Sequence, residues 1–122
     1  MTRPYHNSVT RDAAISRVIE IEEQRVGKRR ARQVHRVTSK CNGYDVDSPG
    51  RRIEVKGIGG RDPFRGLVLN SLQEYRNLRD GGWLYIVSGT PKGPLSVLML
   101  RWKDVHLVRS PRWRVVRRAR GY

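Results

Sequence analysis

The sequence predicts a single α/β or α+β domain built on one mixed sheet. Its length of 122 residues suits one domain and leaves no room for a second. Two stretches carry helix signals, and several short runs have strand length or strand alternation. Pro49-Gly50 is a turn signal between two of the alternating runs, so part of the sheet is a hairpin.

The elements follow in order. Residues 1–10 read as a flexible arm. Residues 11–26 read as a helix, because Ile15, Val18, Ile19 and Val26 share one stripe while Arg11, Arg17 and Arg25 lie off it. Glu22 falls on or beside that stripe. Gly27 then stops the helix. Val34 and Val37 mark a first strand over 33–38. Tyr44 and Val46 alternate with Asp45 and Asp47; Ile53 and Val55 alternate with Arg52, Glu54 and Lys56. A short strand is expected at 67–69. A second helix opens at Asn70-Ser71 and ends at Gly81-Gly82, with Ser71-x-x-Glu74 as a capping box. Two more strands are expected, 83–87 and 95–100. The domain is placed at 11–108, followed by an arginine-rich segment over 109–122.

Charge narrows the function. Against 11 Asp and Glu stand 26 Lys and Arg, a net charge of +15, and Arg outnumbers Lys 21 to 5. Such a field favours polyanions, and the guanidinium fork suits phosphate and base edges. The expected partner is nucleic acid, with DNA placed ahead of RNA. One cysteine, Cys41, excludes a disulfide framework and any thiolate zinc cluster, and fits a reducing, intracellular (cytoplasmic) setting. The three histidines show no metal-binding spacing. No apolar run approaches the ~20 residues of a membrane span, and no secretory signal opens the chain.

The hairpin carries the chemistry. With Pro49-Gly50 as the turn, paired residue numbers sum to 99. Asp45 then faces Glu54, and Asp47 faces Arg52. Glu54 and Lys56 share a face with Asp45. Opposed Cβ atoms lie about 4.5–5.5 Å apart, so two carboxylates there repel unless a cation intervenes. Mg²⁺ or Mn²⁺ on Asp45 and Glu54 removes the repulsion, and Lys56 beside them can orient a water or hold a phosphate oxygen. Asp47 is expected to be structural, paired with Arg52. Glu74 is expected to serve the helix cap.

Asp45 followed by Glu54-Val55-Lys56 on the next strand resembles the PD-(D/E)xK nuclease superfamily. Gly43-Tyr44-Asp45-Val46, Ile53-Glu54-Val55-Lys56-Gly57, Leu69-Asn70-Ser71-Leu72-Gln73-Glu74-Tyr75 and Trp83-Leu84-Tyr85-Ile86-Val87 are more narrowly similar to one branch of it. That branch is the uncharacterised domain at the C-terminus of the plant NO VEIN protein and in many bacterial and phage defence proteins. The resemblance covers about residues 11–100. It implies a restriction-endonuclease-like core, a central mixed sheet flanked by helices, and metal-dependent phosphodiester cleavage by Asp45, Glu54 and Lys56. Superfamily members often add an acid from the first helix. Asp12, Glu20, Glu22 and Glu23 all compete, and Glu22 is the best placed on physical grounds.

Two basic regions are expected to hold the backbone. Arg29, Arg30 and Arg32 form part of the first. Arg112, Trp113, Arg114, Arg117 and Arg118 form part of the second, where Trp113 interleaved with arginines suits stacking as well as phosphate contact. A nuclease cutting both strands is compatible with a homodimer. The rival reading is a non-catalytic nucleic-acid-binding module, or a subunit of a larger nucleoprotein complex.

Overall fold

The computed structural model describes residues 9–38, 42–59, 64, 67–89, 93–109 and 113–117. Helix α1 (Arg11–Val26) has the predicted bounds. Thr10 caps it, its hydroxyl accepting the Ala13 N–H at 3.2 Å, and Gly27 closes it at φ +85°. Ile15 and Val18 on the predicted stripe are buried, with Ile19 and Val26 packed beside them. The expected arm ends earlier than residue 10. Val9 is already buried in the core, and residues 1–8 lie outside the described residues.

The chain then makes a short 3₁₀ turn (Ala31–Gln33) and β1 (His35–Arg36), a shorter strand than the sequence suggests. β2 (Val46–Ser48) and β3 (Arg51–Ile58) form the predicted hairpin. β4 (Val68–Leu69) leads into α2 (Leu72–Arg79), capped by the Ser71 hydroxyl. β5 (Trp83–Ser88) and β6 (Ser96–Leu100) follow. The main sheet runs β1-β2-β3-β5-β6; β3 and β5 are parallel and the other neighbours antiparallel. It is the mixed sheet that the sequence predicts.

A second sheet is added at the C-terminus. β7 (Val105–Arg109) pairs with β8 (Trp113–Arg117), which also pairs with β4. The segment set aside as arginine-rich therefore contains a strand. Val115 is fully buried within it, and burying a valine contributes roughly 1.5–3 kcal/mol. The arginines on either side hid the short apolar core of this strand.

The main sheet is covered on both faces. Ile53, Val55, Tyr85 and Val87 pack with α1. Leu84, Ile86 and Leu100 pack with Leu78 of α2 and with Leu69, Val105 and Val115 of the second sheet. Glu54 and Lys56, in register with Leu84 and Ile86, belong to this α2 side. The β3–α2–β5 crossover brings the first turn of α2 beside the C-terminal end of β3. Among the described residues, no helix is long and apolar enough to cross a membrane.

Candidate functional site

The register of the hairpin is the predicted one up to Asp45. Val46 pairs with Ile53, Asp47 with Arg52 and Ser48 with Arg51. The Asp45 N–H, however, also bonds the Ile53 carbonyl at 2.8 Å, so Asp45 and Val46 both oppose Ile53. This is a β-bulge, a device that re-aims a side chain. In an unbroken ladder Val55 would face Tyr44. Here the Val55 N–H donates instead to Asp45 Oδ2 at 2.9 Å. The carboxylate is fixed by the backbone of the strand that carries Glu54 and Lys56.

Asp45, Glu54 and Lys56 line one open cavity of about 640 Å³, so all three come together, but with Asp45 opposite Ile53 rather than facing Glu54 as the hairpin arithmetic expects. Two residues join them that sequence reasoning did not place there. Arg11, the first residue of α1, donates Nη2 to Asp45 Oδ1 at 2.6 Å. Glu74, in the first turn of α2, accepts Lys56 Nζ at 2.6 Å. Lys56 Nζ also lies 3.4 Å from Glu54 Oε1, bridging two acids. Glu74 still serves the cap, taking the Asn70 N–H at 3.2 Å and the Ser71 hydroxyl at 3.4 Å. Its capping motif is sufficient reason for its presence, which masked the second role. The usable signal was topological: ligands in such folds collect at the carboxyl ends of strands joined by a helical crossover.

Glu54 is the electrostatically unusual group. Its residue surface is only 7% exposed. Burial pushes its pKa up to about 9, with Lys56 opposing and the Glu74 and Asp45 carboxylates reinforcing the rise. Its neighbour Asp45 is close enough to share a hydrogen bond with it. Glu54 thus holds a proton where a cation would otherwise be needed.

Glu22, the best-placed acid of the first helix, does not join the site. It is buried against Ser48, Arg25 and Tyr85 and lines no part of the cavity. What α1 contributes is the cation Arg11. Asp47 lies near His35, at 3.9 Å, and Arg52 turns to the Asp80 carbonyl at 3.2 Å; the two are register partners without the expected ion pair.

The basic residues fall in several places. Arg29, Arg30 and Arg32 are exposed on the turns after α1, and Arg114 is exposed on β8. Trp113 is half-buried and stacks on Tyr75, ring centroids 4.7 Å apart. Arg117 belongs to β8 by its backbone; Arg112 and Arg118 lie outside the described residues. Among the described residues, the arginines at the cavity are Arg11 and Arg36. Arg36 Nη1 bonds Asp12 Oδ1 at 2.8 Å and ties β1 to the start of α1.

Gly43 shapes the cavity wall. Its φ is +75°, and a Cβ there would overlap the Gln73 carbonyl. Only glycine lets the loop before Asp45 lie this close to α2.

Among the described residues, no three His, Cys, Asp or Glu side chains are grouped so as to hold a metal ion as they stand. Lys56 fills the space between Glu54 and Glu74. The donor set nonetheless fits a magnesium-type cation, which takes one or two carboxylates and retains several waters. Asp45 and Glu54 are the adjacent pair that could supply them.

The sequence profile of the family described as "Protein NO VEIN, C-terminal" matches residues 14–100. The chain belongs to this family. No curated protein and no solved structure matches it. The matched region of this NO VEIN C-terminal domain contains Asp45, Glu54, Lys56 and Glu74, whereas Arg11 and the strands of the second sheet after β4 lie outside it.

Proposed function

We propose that this NO VEIN C-terminal domain is a metal-dependent nuclease of the PD-(D/E)xK type that hydrolyses phosphodiester bonds, with DNA as first substrate. The observation that carries the reading is the grouping of Asp45, the buried Glu54 and Lys56 at one open cavity rimmed by Arg11 and Arg36, where burial raises the Glu54 pKa. Strongly perturbed acids in clefts mark functional sites more often than structural ones.

Asp45 and Glu54 would hold Mg²⁺ or Mn²⁺. Such an ion, when bound, supplies an acidified water and neutralises charge at the phosphate. The chain supplies the rest. Glu54 would bind such a cation as the carboxylate, its proton passing to solvent. Arg11 and Arg36 bind non-bridging phosphate oxygens. Lys56 Nζ, held by Glu74, presents its charge where negative charge builds during in-line displacement. Cutting both strands of a duplex would engage two copies of the chain.

The test is incubation of the protein with supercoiled plasmid, branched DNA and RNA, with Mg²⁺, Mn²⁺ or EDTA. Cleavage is expected only with a cation. Glu54→Gln should abolish it while leaving nucleic-acid binding intact, because glutamine keeps the shape and neutrality of the protonated carboxyl. Lys56→Ala should lose roughly 10²–10³-fold in rate, as for removal of one charge-stabilising donor. Asp47→Asn should cut like wild type. Salt-sensitive binding with no cleavage on any substrate, and no melting-point rise with millimolar Mn²⁺, would replace this reading with the non-catalytic binding module.

A further inference from the structure

A second cavity, of about 230 Å³, lies on the other side of the loop that carries Gly43. Its wall is formed by Asn42, Arg52, Gln73, Arg76, Asn77 and Asp80. Four of these come from one side of α2 and its C-terminal cap, spaced i, i+3, i+4 and i+7. The two cavities share the loop and the helix. Asn42 faces the second while Gly43 and Tyr44 face the first; Gln73 faces the second while Glu74 faces the first. Their walls meet at adjacent residues of α2, Gln73 and Glu74, and at adjacent residues of the loop, Asn42 and Gly43.

The composition of this wall is unusual for a protein of such charge. Three carboxamides and two guanidiniums meet there, the side chains that read base edges and phosphates. Asp80, the one acid, bonds Arg79 at 2.8 and 3.2 Å, and its single charge also faces Arg52 and Arg76, which leaves the wall net positive. Arg52 donates to a carbonyl rather than a carboxylate. Among the described residues, no hydrogen bond or ion pair within bonding distance engages the Arg76 guanidinium. Asn77 is buried, and its Oδ1 has no hydrogen-bond partner among the described residues. A buried, unpaired acceptor is destabilising and rare.

We propose that the second cavity is a flanking-nucleotide subsite. Arg52 and Arg76 hold the phosphate next to the one seated at Asp45 and Glu54, and the carboxamides of Asn42 and Gln73 contact its sugar or base. This rests on the nuclease reading for the identity of the first cavity. It adds that the strand leaves that cavity over Gly43 and along α2, with a local polar contact as well as a long-range field.

The experiment measures anisotropy of a fluorescent single-stranded oligonucleotide in EDTA, so that no cleavage intervenes, over a series of salt concentrations. Arg76→Ala should weaken binding roughly 5–10-fold and reduce the salt slope by about one. Gln73→Ala removes no charge; it should weaken binding about 3-fold with the slope unchanged. Lys103→Ala removes a charge from an exposed site outside both cavities and should change affinity less than about 2-fold. Melting curves confirm that each variant folds. Equal effects of Arg76→Ala and Lys103→Ala, with none from Gln73→Ala, would mean a diffuse field and overturn the subsite, as would a wild type that binds no oligonucleotide. Turnover of bis-p-nitrophenyl phosphate with Mn²⁺ tests the first cavity separately, since so small a diester needs no flanking subsite.

Discussion

Glu22 on α1 and Glu54 on β3 are both buried acids at the same small sheet, one from the helix that covers it and one from a strand within it, yet their surroundings assign them opposite work. Glu22 is fully buried and fully answered. Oε1 accepts Arg25 Nε and Ser48 Oγ, each at 2.8 Å, and Oε2 accepts the Tyr85 hydroxyl at 2.7 Å. Arg51 donates to that hydroxyl at 2.5 Å while stacking on Trp83, 3.9 Å from the ring centroid. Burial opposes ionisation of Glu22, but these donors outweigh it and hold the carboxyl below its ordinary value. The same network and burial push the Tyr85 hydroxyl up to about 12, so it stays a donor. Glu54 has no such set of donors: Lys56 lies 3.4 Å away and leans closer to Glu74, and Arg11 acts on it only through its charge. Burial then wins. The contrast teaches that donors, not depth, decide whether a buried acid is structural or poised for chemistry.

The largest expected effect breaks the structural side. Glu22→Ala strands the Tyr85 and Ser48 hydroxyls and leaves Arg25 and Arg51 without their buried anion. Breaking a buried pair from one side costs ~3–5 kcal/mol, so the melting temperature should fall steeply. Binding of oligonucleotide by the protein that remains folded should be unchanged. A variant that melts with the wild type would remove the distinction between the two glutamates.

The next effect is a difference in sign with pH. The pKa of Glu22 is depressed by folding, so its contribution is present above its unfolded value, near 4.5, and is lost as pH falls below it. The pKa of Glu54 is raised from about 4.5 to about 9. Between those values the folded protein binds a proton that the unfolded chain has lost, so stability falls as pH rises. In cation-free buffer, denaturant midpoints should therefore decline from about pH 5 to about pH 9. Glu54→Gln should flatten that decline and match or exceed wild type at pH 8. Mn²⁺ should invert the trend for wild type, since the cation replaces the proton and binds better as pH rises. A wild-type midpoint that is flat over this window, and unmoved by Mn²⁺, would place Glu54 among ordinary carboxylates.

Much of this was legible in the sequence, for physical reasons that differ by region. The α1 stripe and the Pro49-Gly50 turn are local patterns, and local patterns fixed the helix bounds and the hairpin register. The hairpin placed Asp45 on the strand beside Glu54 and Lys56, although the register itself breaks at Asp45. What escaped was either non-local or doubly determined. The bulge at Asp45 has no sequence mark, since no glycine stands at Asp45 or Val46. Glu22 looked like a site acid because its stripe position foretold burial; nothing foretold Ser48, Tyr85 and Arg51 arriving from three other elements. Arg11 reads from its spacing as a solvent-facing residue, and its bond to Asp45 is a contact 34 residues apart that no local pattern marks. β8 was hidden by the arginines around Val115 in the sequence, of which Arg114 is exposed.

The smallest effect sharpens the poised side, and it turns on Arg11. Its guanidinium holds Asp45 Oδ1 at 2.6 Å while 65% of its side-chain surface remains in solvent. Asp45, by contrast, is nearly enclosed, with its second oxygen tied to the Val55 N–H. A cation approaching Asp45 therefore competes with Arg11, and an arriving phosphate gives Arg11 another anion to hold. Exposed pairs of this kind are worth ~1 kcal/mol or less. Arg11→Ala should accordingly tighten Mn²⁺ binding to the free protein by a few-fold, about 3–5-fold at most. The same change should weaken oligonucleotide binding. In wild type, a non-cleavable oligonucleotide should raise Mn²⁺ affinity by drawing Arg11 away, and in Arg11→Ala that enhancement should shrink. Calorimetric Mn²⁺ titrations of both proteins, with and without the oligonucleotide, measure all four affinities. Weaker Mn²⁺ binding by Arg11→Ala would show that Arg11 supports Asp45 as a ligand rather than competing for it.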